Sequence, residues 1–416
     1  MSAIVLDKIV VKSNIVEYYY SYSKELEKYF TTNKMFLEYD CSVNQVPLSI
    51  LTIPFVNCML GIVWMSDSEL FVDEIDETYY NSIRNLKIAY EELHNYPNLK
   101  GIFIPSKLVQ NEVPYSDASV LLFGGGIDCQ SSYLRNSKRV SHVLNIYGWL
   151  NSLEEDNKVD KSDNLVTNKF AHTMGIEALH ARSNFASQFS LQEVDKNLTQ
   201  KIIGTSYWFG FLHSMAFIAI AAPIAWVKGF HQILIASSYT KSRVNRHCSS
   251  FITTDSQFQF ATNGVVLHDG FELNRNDKVS LIVDYQKNLG KPYALQVCSF
   301  NESNCCKCEK CFRTIVDIIS LGGNPKDFGF EECSLSHWKA VVNNNIALWG
   351  VEKESYYYYH YTSKRMKENY DKVFDKTFVD WFLSCDFVKM RKIALRTYYR
   401  NNFFSILKRK LGIGKS

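Results

Sequence analysis

Ala118-Ser119-Val120-Leu121-Leu122-Phe123-Gly124-Gly125-Gly126-Ile127-Asp128-Cys129-Gln130-Ser131-Ser132-Tyr133-Leu134 is the stretch whose reading decides the fold. A β-prone apolar run feeds three glycines, then an acidic residue, then a segment suited to a helix. That is the order of strand, tight turn and helix N-terminus used by phosphate-binding loops. Glycine lets the backbone bend sharply and brings its N–H groups close to an anion, and the helix dipole adds partial positive charge. An ordinary strand-to-helix turn uses glycines in the same way, so the stretch needs support from elsewhere in the chain.

Working outward, residues 120–123, 140–146 and 233–236 read as strands, and 168–174 with its flanks as a helix. This alternation predicts an α/β domain built on a doubly wound parallel sheet. Ligands of such sheets bind at the carboxyl ends of the strands, where Gly124 to Cys129 would sit. Ser237, Ser238 and Lys241 follow the 233–236 strand and would line the same crevice. The apolar run at 209–227 is nearly long enough to span a bilayer, but a strand follows it closely, and a helix buried against the sheet is the expectation. The charge-dense residues 154–163 read as an exposed loop.

Residues 1–115 read as a separate α+β domain that positions a substrate or partner. Strands are expected at 4–12, 35–39, 49–56 and 61–65, and a helix over 74–94, where Ile83, Leu86, Ala89, Tyr90 and Leu93 recur at helical spacing. The acidic run 67–77 reads as a solvated edge. Beyond residue 323 helical spacing takes over at 338–349, 363–374 and 378–395. The expected domains are therefore 1–115, 116–325 and a helical C-terminal extension, 326–416.

The 416 residues carry 46 basic and 43 acidic side chains, so composition gives no global argument for a polyanionic partner. The first residues lack the basic and apolar regions of a secretory signal, and cytoplasm is the expected location. Of eleven cysteines, five fall between Cys298 and Cys311. Two residues between thiolates let a tight turn present both to one ion, so Cys298, Cys305, Cys308 and Cys311 make a four-thiolate tetrahedral set. A structural zinc leaves no open position in such a set. Cys306 is the spare that can replace one ligand, and an iron–sulfur cluster is the alternative. From Lys389 to the end the sequence holds nine Lys or Arg and no acid, interleaved with aromatic and aliphatic residues. This tail suits nucleic acid, an anionic membrane, an acidic partner or a solvated helix.

The glycine loop followed roughly 170 to 180 residues later by the cysteine set resembles 7-cyano-7-deazaguanine synthase and its relatives in the PP-loop group of ATP pyrophosphatases. His268-Asp269-Gly270, Arg275, Asp277 and Lys278, then residues 304–314, resemble motifs of a longer, QueC-like branch, part of which occurs in bacterial antiviral defence operons. Gly125, Gly126 and Asp128 match the family loop, whereas Gly124 and Cys129 stand where it has serines.

The resemblance implies a PP-loop (HUP-like) fold that adenylates a carboxylate, a 7-deazaguanine acid, with ATP and Mg²⁺ and carries a structural Zn²⁺. Gly124, Gly125, Gly126, Ile127, Asp128, Cys129 and Ser238 would hold the nucleotide, with Asp128 acting through Mg²⁺. Arg275 or Lys278 would clamp phosphate and Asp269 would hold metal; a surface ion-pair cluster is the other reading of these residues. The acyl-adenylate would be conjugated to an amine on a protein partner from the same operon. A free-standing nitrile synthase and a catalytically inactive nucleotide-binding subunit are the alternatives.

Overall fold

The computed structural model describes residues 2–114, 118–150, 158–242, 247–293, 295–298, 303–349 and 353–402. The strands are β1 (Ala3–Lys12), β2 (Ile15–Tyr22), β3 (Lys34–Tyr39), β4 (Glu69–Asp76), β5 (Ile102–Val109), β6 (Ser119–Leu122), β7 (Val140–Tyr147), β8 (Glu177–Ser183), β9 (Gln232–Ala236), β10 (Gln259–Phe260) and β11 (Gly264–Asp269). All of them join one mixed, mostly parallel sheet in the order β10-β11-β9-β6-β7-β8-β3-β2-β1-β4-β5. Its parallel block, β8-β7-β6-β9-β11, starts in the middle at β6, runs outward through β7 and β8, then returns to the other side. That is the doubly wound order, with its switch point between β6 and β9.

Among the described residues the main α-helices on this sheet are α1 (Leu48–Ser66), α2 (Glu77–His94), α3 (Ile127–Asn136), α4 (Lys158–Met174) and α5 (His213–Lys228). Right-handed crossovers set α3 and α4 on the same face, where the Tyr133 and Phe170 rings meet at 5.1 Å. On the other face α1 packs against α5, and Asn57 Nδ2 donates to the Met215 carbonyl at 2.6 Å. Leu48–Ser66 and the run Trp208–Lys228 are long and apolar enough to cross a membrane by length and composition, yet 94% and 78% of these windows are buried within the protein.

Helix α1 replaces the strands expected at 49–56 and 61–65. A helix enclosed on every side is apolar all round and so shows no 3.6-residue period, and its Ile, Val and Thr content imitates a strand. The acidic run 67–77 is likewise no solvated edge along its length. It forms β4, and buried Asp76 caps α2 by accepting from the Tyr79 N–H (2.8 Å), the Ala261 N–H (2.9 Å) and Asn111 Nδ2 (2.9 Å). Of the expected loop at 154–163, residues 158–163 begin α4, and the rest lies outside the described residues.

The first 115 residues do not stand apart. Leu37, Glu38 and Tyr39 of β3 pair antiparallel with Ser183, Arg182 and Ala181 of β8, so the N-terminal strands extend the parallel block. The two compact units are Met1–Asn274 and Arg275–Ser416, dividing the chain elsewhere than at 115/116 and 325/326.

The second unit is helical: α6 (Arg275–Leu289), α7 (Glu309–Ser320), α8 (Leu335–Asn345), α9 (Lys353–Glu368), α10 (Lys376–Ser384) and α11 (Phe387–Asn401). Its core centres on Phe312, whose ring lies 5.1 Å from Trp338 and 5.9 Å from both Tyr359 and Phe387. Buried Asp317 ties three helices together, accepting from Asn276 Nδ2 at 2.9 Å and Thr362 Oγ1 at 2.6 Å. The helix expected over 378–395 is divided between α10 and α11, where Asp386 caps the new helix by accepting from the Lys389 N–H at 2.9 Å.

His94, at the end of α2, contacts the Gly210 carbonyl through Nε2 at 2.9 Å, and burial lowers its pKa to about 4. The unfolded chain, with an ordinary histidine value near 6.5, binds a proton first as pH falls. The resulting stability is therefore present above about pH 6.5 and lost toward pH 4. Urea unfolding at pH 7.5 and 5 should show this loss, and His94→Gln, which retains a donor but does not titrate there, should lose less between the two.

Candidate functional site

At the end of β6 the Phe123 N–H donates to the Leu144 carbonyl at 2.8 Å, and the chain then leaves the sheet through Gly124, Gly125 and Gly126. Gly125 has φ of 77°, and a Cβ there would lie 2.6 Å from Val166 Cγ1. A Cβ at Gly124 or Gly126 would meet nothing within 4 Å among the described residues. Gly126 begins α3 and offers no side-chain cap, so the amides of the first helical turn keep their capacity to hold an anion.

The loop is braced from beneath. Gln130 Nε2 donates to the Gly125 carbonyl (2.8 Å) and Asn145 Nδ2 to the Phe123 carbonyl (3.1 Å). Asp128 is half-buried in the first turn of α3. Cys129 is turned inward and donates to the Gly126 carbonyl at 3.1 Å. Burial pushes its thiol up to about 12, against the pull of the Gly124, Gly125 and Gly126 amides.

Neighbouring β9 brings Ser237 and Ser238 to the same carboxyl edge. Ser237 Oγ is spent on the Tyr239 carbonyl at 2.7 Å, while Ser238 is exposed. Lys241 is exposed as well, its N–H donating to the Phe271 carbonyl. At the end of β11, Asp269 accepts from Ser132 Oγ at 2.8 Å and lies 3.5 Å from Arg135, which also meets Glu272 at 2.5 Å. Asp269 thus anchors α3 to the sheet by direct bonds.

Arg275, Asp277 and Lys278 belong to the second unit. Arg275 donates to Thr314 Oγ1 at 2.7 Å and lies 3.6 Å from Asp317, Asp277 pairs with Arg365 at 2.9 Å, and Lys278 is buried. The ion-pair reading of Arg275 and Asp277 is therefore met inside the helical unit, although Arg275 is too enclosed to be called a surface group.

A buried polar network escaped the sequence reading. Asp255 accepts from Ser214 Oγ (2.5 Å), Ser250 Oγ (3.0 Å) and His268 Nδ1 (2.7 Å), while His268 Nε2 has no hydrogen-bond partner among the described residues. His268 was visible beside Asp269, but Asp255 lies in a stretch without periodic signal.

In the second unit the sulfurs of Cys298, Cys305, Cys308 and Cys311 lie within 4.8 Å of one another, a set that can hold a metal ion. Cys305 and Cys311 sulfurs are 3.9 Å apart, close to the about 3.8 Å between thiolates around one tetrahedral ion with 2.3 Å bonds. Cys308 begins α7 and accepts from the Cys311 N–H at 3.4 Å. Its thiol is lowered to about 5, chiefly by the Cys311 side chain that donates to it, while Cys311 is driven upward by the same partner. One thiolate among crowded thiols is the electrostatic state a cation would relieve. Cys306 is outside the set: its left-handed backbone, φ of 49°, makes the bend between Cys305 and Cys308, and its carbonyl meets His337 Nε2 at 2.8 Å.

The chain matches no family model, no curated protein and no solved structure.

Two expectations follow from this geometry. Gly125→Ala should lower the unfolding free energy by about 2–4 kcal/mol through left-handed strain and the Val166 clash, whereas Gly124→Ala should be near neutral in the same denaturant titration. Cys308→Ser should abolish bound metal in elemental analysis and lower the melting temperature, whereas Cys306→Ser should retain the metal.

Proposed function

We propose that this chain is a PP-loop ATP pyrophosphatase-like enzyme related to 7-cyano-7-deazaguanine synthase. It activates a carboxylate, of the 7-deazaguanine acid class, for conjugation to an amine on a partner protein. The observation that carries the reading is the uncapped glycine turn at the switch point between β6 and β9, with Ser238 on the adjoining strand end. The absence of side-chain obstruction at Gly124 and Gly126 supports it further.

On this reading the Gly124 to Gly126 amides and the α3 N-terminus stabilise the charge that develops on the departing pyrophosphate. Asp128 would hold Mg²⁺, whose chemistry is to neutralise phosphate charge. The acid's oxygen attacks the α-phosphorus of ATP, the α–β bridging bond breaks, and the carboxyl carbon becomes open to an amine. The protein's part is to bind, align and exclude water. The cysteine set, which admits four thiolates and leaves no open position, would hold Zn²⁺ in a structural role. An antiviral setting and a cytoplasmic location belong to the same proposal.

Inward-turned Cys129 favours a second reading, an inactive nucleotide-binding subunit, because the loop lacks both hydroxyls and directs amides toward a sulfur. Pyrophosphate release from ATP and Mg²⁺, with and without 7-carboxy-7-deazaguanine, separates the two. The enzyme reading expects acid-dependent release that falls at least about 100-fold in Asp128→Ala. ATP binding without release would establish the second reading, and Gly124→Ser with Cys129→Ser should then restore turnover if the missing hydroxyls are the cause. Absence of both binding and release would sink both.

A further inference from the structure

Helix α11 is unlike the other helices of the second unit. Across Phe387–Asn401 only Phe387 is buried. Exposed Lys389, Lys392, Arg396 and Arg400 fall on one stripe at helical spacing, and neither this helix nor the sequence after it contains an acidic residue. Apolar side chains flank that stripe on both sides: Val388 (47% exposed) and Tyr399 (56%) on one, Ile393 (55%) on the other. Beyond Ile393 an open groove of about 530 Å³ runs between α11 and the end of α8, with Ala347, Leu348, Met390, Ala394 and Tyr398 in its lining. Leu348, at its rim, is 64% exposed.

Exposed apolar side chains gathered along a groove and rimmed by cations mark an interaction surface. We propose that α11 and the adjoining groove dock this protein on an anionic phospholipid surface. The four cations meet lipid phosphates while their stems lie along the acyl boundary, and Val388, Ile393, Leu348 and Tyr399 enter that boundary. A nucleic acid would use the cations and the tyrosine rings, yet it gains nothing from aliphatic Val388, Ile393 and Leu348. Lipid uses all three kinds of side chain. The mode is peripheral, since the two membrane-length apolar helices among the described residues are mostly buried in the first unit.

The test is co-sedimentation of the full-length protein with mixed phosphatidylglycerol–phosphatidylcholine vesicles, against phosphatidylcholine alone and against duplex DNA. Binding to the mixed vesicles only is expected, weakening with salt. Lys392→Glu with Arg396→Glu should weaken it by more than about tenfold. Leu348→Asp with Ile393→Asp should also weaken it while leaving the melting temperature unchanged. If either pair lowers the melting temperature, Lys392→Gln with Arg396→Gln and Leu348→Ser with Ile393→Ser replace them, with the same expectation. No binding to anionic vesicles overturns the proposal. So does binding that survives the apolar pair and is matched by duplex DNA, which would assign α11 to polyanions in general.

Discussion

The three-residue antiparallel seam between β3 and β8 is the contact on which the first unit depends. Asn184 prolongs it past the end of β8, accepting from the Phe36 N–H at 2.8 Å and donating to the Lys34 carbonyl at 3.1 Å, so a side chain continues the ladder where the backbone has turned away. With the seam closed, meander and parallel block are one surface, and α1 and α5 share one face of it. Each would otherwise expose apolar surface all round. Tyr39, at the seam, reaches from β3 to the Ile220 carbonyl of α5 at 3.0 Å, and Tyr18 reaches from β2 to the Leu51 carbonyl of α1 at 2.7 Å. Sheet pairing and helix burial are therefore mutually dependent.

This dependence explains what could be read from the sequence. Strands β6, β7, β9 and β11 are buried in a parallel block, so they appear as apolar runs next to turn residues, and the glycine turn follows directly from the first of them. Strand β8, Glu-Ala-Leu-His-Ala-Arg-Ser, has neither a strict polar/apolar alternation nor an apolar run and lacks β-branched residues, so no local signal marks it. The separate N-terminal domain was a reasonable inference from element order, but which strand edge β3 meets is a nonlocal choice that no local pattern encodes. Helix α1 was hidden by its own complete burial.

The cysteine set lies at the opposite extreme. Spacing narrows the ligands to the five cysteines between Cys298 and Cys311, because short intervals restrict a turn more than long ones restrict a fold. The choice of Cys305 over Cys306 was not in the spacing. It depends on which residue adopts the left-handed bend, and Cys306 does so as a non-glycine residue. With Cys306 in that bend, it is Cys305 whose sulfur joins those of Cys298, Cys308 and Cys311.

At the glycine turn, binding and cleavage place different demands on the same atoms. A phosphate at the α3 N-terminus would compete for amides now directed at the Cys129 thiol, and charge-assisted bonds to an anion are stronger than those to a neutral, weakly accepting sulfur. The buried thiol is neutral at physiological pH, so displacing its amides costs little and ground-state binding is compatible with this loop. Cleavage requires donors that tighten as charge moves to the leaving group. The amides can do so because the loop is held by Gln130 and Asn145 from below and α3 by Asp269. Hydroxyls at the positions of Gly124 and Cys129 would add donors able to rotate toward that charge. On the proposed reading the scaffold supplies the rigid part of an anion-stabilising site, and the adjustable part is where this chain departs from the loop it resembles.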